Sequence, residues 1–421
     1  MADDSHSWLD IPWEMMDTVV LGRSAIDVSR LYLTGIADAE EFLRCYGFDL
    51  QRPEQAREVE EIRREAMEFI LEDLLVDEPQ VAMPPEIRAE ADVRRLLLWA
   101  SIPHVQPRQK WACSILRVMH TFAHCGSYFQ DLYGDQIREQ IRARIMPHIY
   151  SAGDRLTLGD GPDAIPLKAF QMRGRKSRRS IAMKLLHKAE NVSADVFDWI
   201  GLRFVTEHRF DALLVARYLR SQNVIMFANV RPGRSRNTLL DVAAVKERMA
   251  QVNEDVRAGR LAEYERWQRL RDLVADMPYP EEPGKSYNPF SASMYHSIQF
   301  TCSQQIRVNN PHLVNFQRAL SQAGRFDMLS RAFDRLRVQP TFSFFFPFEV
   351  QVMDHDSFER SRNGRASHGE YKARQRHAVK RRLWGDWIDD TVRPLPDTIS
   401  RRTDLESDVV TLLAPGFQVN G

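Results

Sequence analysis

The chain has no net charge, because Lys plus Arg and Asp plus Glu each number 58 among its 421 residues. No global field therefore drives it towards nucleic acid or anionic lipid, and any polyanion site has to come from local clustering. Cysteine is scarce. The four present (Cys45, Cys113, Cys125, Cys302) lie far apart with no C-x-x-C spacing, which argues against a zinc ribbon or a disulfide framework. No run of about 18 apolar residues occurs that could span a bilayer. The opening MADDSHSWLDIPWEMM is acidic, with no cationic stretch leading into an apolar one, so a cytoplasmic protein with no membrane partner is expected. Walker A and G-x-G-x-x-G loops are also missing, which leaves P-loop and Rossmann folds without support.

What is present is enough apolar material, 43% of residues, to bury a large core in two or three structural units. From Ser24 to about Tyr150, apolar residues recur at spacings of three and four in VSRLYL, AEEFLRCYGF, VEEIRREAMEFILEDLL and IREQIRARIMPHI. Amphipathic helices packed on one another produce that pattern. The Gly/Asp-rich GDRLTLGDGPDA reads as a linker or hairpin. After Ile165, strand-like runs appear: WIGLRFVTE, NVIMFANV, YHSIQFTCSQQIRV and TFSFFFPFEVQV. Helical segments separate them, namely SRRSIAMKLLHKAE, FDALLVARYLRSQ, a long polar insert and LVNFQRALSQAGRFDMLSRAFDRL. Helices packed on the faces of a sheet account for such alternation.

Several segments carry candidate chemistry. Gln171 to Lys188 holds seven Lys/Arg and no acid. Arg175, Lys176 and Lys184, with the hydroxyls of Ser177 and Ser180 near a helix start, could hold phosphate; a solvated basic helix face is the alternative. In DVFDWIGLRFV, Asp198 stands three residues before a glycine at the mouth of an apolar strand, where a carboxylate could hold a metal or merely end a turn. Arg203 alternates within that strand and points to a groove or to a carboxylate partner. In FPFEVQV, Glu349 and Gln351 share one strand face; an acid there is costly to bury unless paired or bound to a metal. Tyr295 precedes another strand and could stack on a base or cover the core. A second basic block runs from Arg360 to Arg382 around His368, Tyr371, Lys372 and His377, fit for phosphates, RNA or solvent. His120 and His124 have the i, i+4 spacing of a zinc pair but lack a third ligand.

In this order the segments resemble the RelA/SpoT-type (p)ppGpp synthetase domain of the nucleotidyltransferase superfamily, over about Leu167 to Trp384. RKSRRSIAMK is similar to the family's R-x-K-S-x-x-S-I-x-x-K, DWIGLRFV to its D-x-x-G-x-R strand, MYHSIQ to G-Y-x-S-L-H, FEVQV to E-V-Q-I-R-T, and ASHGEYK to H-x-x-x-Y-K. The resemblance implies an α+β fold: a mixed, mostly antiparallel sheet flanked by helices, nucleotidyltransferase-like, preceded by an all-helical domain. It divides the chain into a helical domain (1–150), a linker (151–166), a synthetase-like domain (167–390) with helical inserts near 238–277 and 312–337, and a tail (391–421).

The implied activity is Mg²⁺-dependent transfer of pyrophosphate from ATP to a nucleotide or RNA hydroxyl. Asp198 and Glu349 become metal ligands, Glu349 also being a candidate base. Arg175, Lys176, Ser177, Ser180, Lys184 and Arg203 become donor-phosphate contacts; Tyr295, Gln351, His368 and Lys372 fall on the acceptor side. Gly174, Met294, Gln299 and Met353 stand where the family has arginine, glycine, histidine and arginine. Three of these differences lie on the acceptor side, which leaves the acceptor open. The alternatives are a catalytically inactive nucleotide sensor or scaffold and a toxin-like enzyme that pyrophosphorylates tRNA.

Overall fold

The computed structural model of the chain describes residues 13–22, 24–78, 81–125, 128–153, 155–174, 177–187, 199–280, 296–322, 341–362, 368–385 and 409–413. In chain order the first helices are α1 (Trp13–Val20), α2 (Ile36–Tyr46), α3 (Pro53–Phe69), α4 (Pro85–Ala89), α5 (Val93–Ala100), α6 (Pro107–Cys125) and α7 (Tyr128–Ile145). Strands β1 (Ile149–Ala152), β2 (Arg155–Leu158) and β3 (Ile165–Arg173) come next, then α8 (Arg178–His187), β4 (Gly201–Thr206), α9 (Asp211–Ser221) and β5 (Arg236–Asn237). They are followed by α10 (Val242–Arg257), α11 (Arg266–Ala275), β6 (Ile298–Asn309), α12 (Pro311–Gln322), β7 (Thr341–Asp354), α13 (His355–Arg362), α14 (His368–Trp384) and β8 (Val409–Leu413).

The chain forms two compact units. A helical unit takes Met1–Ser127, Ser177–Val196 and Gly369–Arg402; a sheet unit takes Tyr128–Lys176, Phe197–His368 and Thr403–Gly421. The all-helical start thus ends at α6, because the stripe Tyr133, Ile137, Ile141 and Ile145 of α7, spaced every four residues, is buried in the core of the sheet unit. Helix α8 instead belongs to the helical unit, as does nearly all of α14.

Within the helical unit, α6 is buried on most sides, with Trp111, Ile115, Val118 and Phe122 almost fully covered. Phe122 meets Phe69 of α3 edge-on at 5.4 Å, and Trp111 meets Trp384 of α14 at 5.6 Å. Proline opens α3 at its first helical position, where no amide hydrogen is needed. Asp92 caps α5 by accepting from the Arg94 amide at 3.0 Å.

The sheet unit is built on an 8-stranded sheet in the order β1-β2-β3-β4-β7-β6-β5, with β8 pairing β3. Every pairing is antiparallel except that of β4 with β7. The α+β class and the mostly antiparallel, helix-flanked sheet agree with the sequence reading. Three local differences have physical causes. NVIMFANV makes no strand. Asn223, in the left-handed region at φ 52°, ends α9; Val224 and Ile225 are buried as neighbours instead of alternating, and Phe227–Asn229 is a 3-10 turn. The long insert breaks into α10 and α11 near Gly259, at φ 70°. The segment read as linker or hairpin holds β2, which pairs antiparallel with β1 just before it, and the tail supplies β8. Of the insert at 312–337, residues from 323 onwards lie outside the described ones.

Gly159, just after β2, takes φ 82°, and a Cβ built there would lie 2.6 Å from Cε2 of Tyr218, whose hydroxyl is 3.0 Å from His148 Nδ1. Both the backbone conformation and the ring require glycine. Gly159→Ala is expected to lower the unfolding free energy by about 1–3 kcal/mol, read from urea denaturation. An unchanged midpoint would show that ring and turn yield freely.

Candidate functional site

Side chains on a strand alternate between faces, and β3, β4, β7 and β6 lie side by side. One face feeds the main core through Phe170, Met172, Leu202, Phe204, Val350 and Val352. The other carries a small apolar cluster, Ala169, Val205 and Met353 with Phe358 of α13. Beside it runs a row of half-buried polar residues in direct register: Gln171 opposite Arg203, Arg203 opposite Gln351, and Gln351 opposite Gln299.

A guanidinium on a half-buried sheet face has to find acceptors. Arg203 donates to Gln351 Oε1 from Nε at 3.1 Å and from Nη2 at 3.0 Å, and to Gln171 Oε1 from Nη1 at 3.3 Å. With its oxygen committed to Arg203, Gln351 turns its amino group to Glu349 and donates to Oε1 at 2.7 Å. Gln299 donates to the other oxygen, Oε2, at 2.5 Å. Two N–H dipoles aimed at the carboxylate stabilise its charge.

Two residues along the strands, on the same face, the register runs Arg173, Gly201, Glu349 and Thr301. Among the described residues, a Cβ added to Gly201 would meet only Cβ of Arg173, at 4.0 Å. The polar face is therefore open over Gly201, between an arginine and a carboxylate two strand spacings, or roughly 10 Å, apart.

Glu349, Gln351 and Arg203 are thus brought together. Asp198, Arg175, Lys176 and Tyr295 lie outside the described residues. Ser177 accepts from the Ser180 amide at 3.2 Å and donates to the Ser180 hydroxyl at 2.9 Å, so this pair caps α8. Ser177, Ser180 and Lys184 belong to the helical unit, as does Lys372 on α14; His368 opens α14. Among the described residues no three His, Cys, Asp or Glu gather as a metal site. The hard oxygens of Glu349 nonetheless suit Mg²⁺, which commonly takes one or two carboxylates together with substrate phosphates.

Among the described residues, several cations of each basic block are engaged inside the helical unit. Arg178 pairs with Glu65 at 2.6 Å, and Arg179 with Glu72, Asp73 and Glu68 at 2.7, 3.0 and 3.3 Å. On α14, Arg376 pairs with Asp77, Lys380 with Glu78 at 2.6 Å, and Arg382 with Asp27 at 2.6 Å. These pairings favour structural roles over a grip on RNA. The His120 and His124 pair is also accounted for: the Tyr46 hydroxyl is 2.7 Å from His120 Nδ1, and His124 Nδ1 is 2.8 Å from the His120 carbonyl. Burial pushes the His120 pKa down to about 4, which keeps that ring neutral at pH 7.

Gln171 escaped sequence reading because its strand was not recognised. Gln299 registered only as a difference from a motif, and Gly201 only as a motif letter. Their common signal is a polar or missing side chain at every second position of an otherwise apolar strand. No protein-family model matches the chain, and neither does any curated protein.

Replacing Gly201 by valine fills the open position with a residue suited to strands. If the sheet unit binds Mg²⁺–ATP, as the resemblance implies, Gly201→Val weakens that binding about tenfold or more while the protein stays folded, measured by calorimetric titration. Equal affinity in both proteins would remove this position from any ligand site.

Proposed function

We propose that the sheet unit transfers pyrophosphate from ATP to a nucleotide or RNA hydroxyl, in the manner of RelA/SpoT-type synthetases, with Mg²⁺ as cofactor. The observation that carries this reading is the open strand position at Gly201, flanked by Arg173 and by a Glu349 carboxylate that two amides hold in place. Arg173 offers a guanidinium to a donor phosphate, a planar fork matched to its oxygens. Glu349 faces the same opening and can take the proton of an attacking hydroxyl. The acceptor oxygen bonds to the β-phosphorus as the bond from that phosphorus to the α,β-bridging oxygen breaks, and AMP leaves.

Mg²⁺ held by Glu349, with Asp198 as the partner the resemblance implies, would neutralise the donor phosphates. Such chemistry depends mainly on positioning and charge stabilisation, which fits a site whose side chains are fixed by cross-strand hydrogen bonds. Within the sheet unit the resemblance adds Arg175, Lys176 and Arg203 to the donor side and Tyr295, Gln351 and His368 to the acceptor side.

One observation favours a second reading, that of an inactive nucleotide sensor. Met353, where the family strand carries arginine, is fully buried at 0% exposure among Ala169, Val205 and Phe358, so that cation has been replaced by packing.

The test is to supply ATP and Mg²⁺ with GDP, GTP, ADP or deacylated tRNA in turn and to follow AMP. Release with one acceptor, reduced roughly a hundredfold or more in Glu349→Gln, is expected for a general base. ATP binding without AMP from any acceptor would establish the sensor instead.

A further inference from the structure

The helical unit contains a cavity of about 230 Å³ between α2, α3, α5 and α6, walled by apolar side chains such as Phe42, Leu97, Leu116 and Met119. It exceeds the roughly 150 Å³ apolar cavity that suffices to take a benzene ring. Two of its wall residues are arginines, Arg30 and Arg117. Arg117 is directed to backbone carbonyls, donating to Val28 O at 2.6 Å and from its other amino group to Leu383 O at 2.8 Å and Arg382 O at 3.4 Å. The nearby carboxylate of Asp27 is already gripped by Arg382 through two bonds, at 2.6 and 3.0 Å. Arg30 lies over the ring of Tyr32 at 4.3 Å. Among the described residues neither Arg30 nor Arg117 has a carboxylate partner.

Two half-buried cations with no acid among the wall residues of an apolar cavity are an unbalanced arrangement, since charge drawn out of water is ordinarily paired. Uncharged groups complete the wall: Tyr46 and His120 line it too, bonded to each other at 2.7 Å. Tyr46 is 37% exposed, so this side of the cavity reaches solvent. An occupant that matches the whole wall has an apolar body for the aliphatic and aromatic surface and one negative head for the guanidinium groups. We infer that this cavity binds a small apolar carboxylate, an acyl chain or a single ring bearing an acid group. The site lies wholly within the helical unit and uses none of the residues assigned to pyrophosphate transfer.

The probe is octanoate, with octan-1-ol as the neutral control, titrated calorimetrically into the full-length protein. Saturable octanoate binding at one site is expected, about tenfold or more tighter than octanol, because a charge-assisted contact distinguishes the two. Arg30→Gln, which removes a cation with no ion pair to lose, should bring octanoate close to octanol. Ala123→Phe, which fills the cavity from its wall, should abolish binding of both while far-ultraviolet circular dichroism stays unchanged. No saturable octanoate binding, or octanol binding as tightly as octanoate, overturns the inference. So does octanoate affinity that Arg30→Gln leaves intact.

Discussion

The parallel pairing of β4 with β7 sets every other position on the polar face of the sheet. It is the one parallel contact in the described sheet, and it places Gly201 beside Glu349 and Arg203 beside Gln351. A shift by one residue would turn Arg203 and Glu349 into the main core and bring Leu202 and Val350 out. The row Gln171, Arg203, Gln351 and Gln299 works as a lock on that register, because each amide can satisfy its neighbours in one alignment only. Gln351 is the hinge of this lock: its oxygen faces the guanidinium and its amino group faces the carboxylate. A cation and an anion are thereby held apart on a half-buried face without either being left unsatisfied.

The helical unit solves a different electrostatic problem. Its two basic helices follow the whole N-terminal helical stretch in sequence, and the acids that meet them come from the first part of the chain. Arg179 bridges three carboxylates of α3 and the turn after it. The Lys380–Glu78 pair is almost fully buried, at 7% and 4% side-chain exposure. Breaking such a pair from one side strands a charge and costs several kcal/mol, roughly 3–5. These charges therefore tie α8 and α14 to the first helices. What reads in sequence as two polyanion grips is, for the residues that can be seen, mostly internal wiring.

Strands β4, β6 and β7 were legible because apolar residues alternate over six or more positions, and α8 and α9 because apolar residues recur every three to four. Strand β3 was hidden by Pro166, Lys168, Gln171 and Arg173: its outward face is polar enough that the period of two looked like a basic linker. NVIMFANV misled for the opposite reason, being apolar throughout and hence without a period. The division into units could not be read from the sequence, since linear boundaries cannot show that Ser177–Val196 and Gly369–Arg402 fold with the first 127 residues. Of the candidate site, Glu349 and Arg203 stood out as charges in apolar strands. The amides that fix them are neutral, and only the cross-strand register reveals them.

The proposed transfer rests on a nucleotide binding at the polar face around Gly201. Photolabelling of the full-length protein with 8-azido-ATP and Mg²⁺, followed by peptide mapping, tests it most directly. Label is expected on peptides from residues 165–206 and 296–354, displaced by excess ATP. Label confined to peptides from the first 127 residues, or label that ATP does not displace, would contradict it.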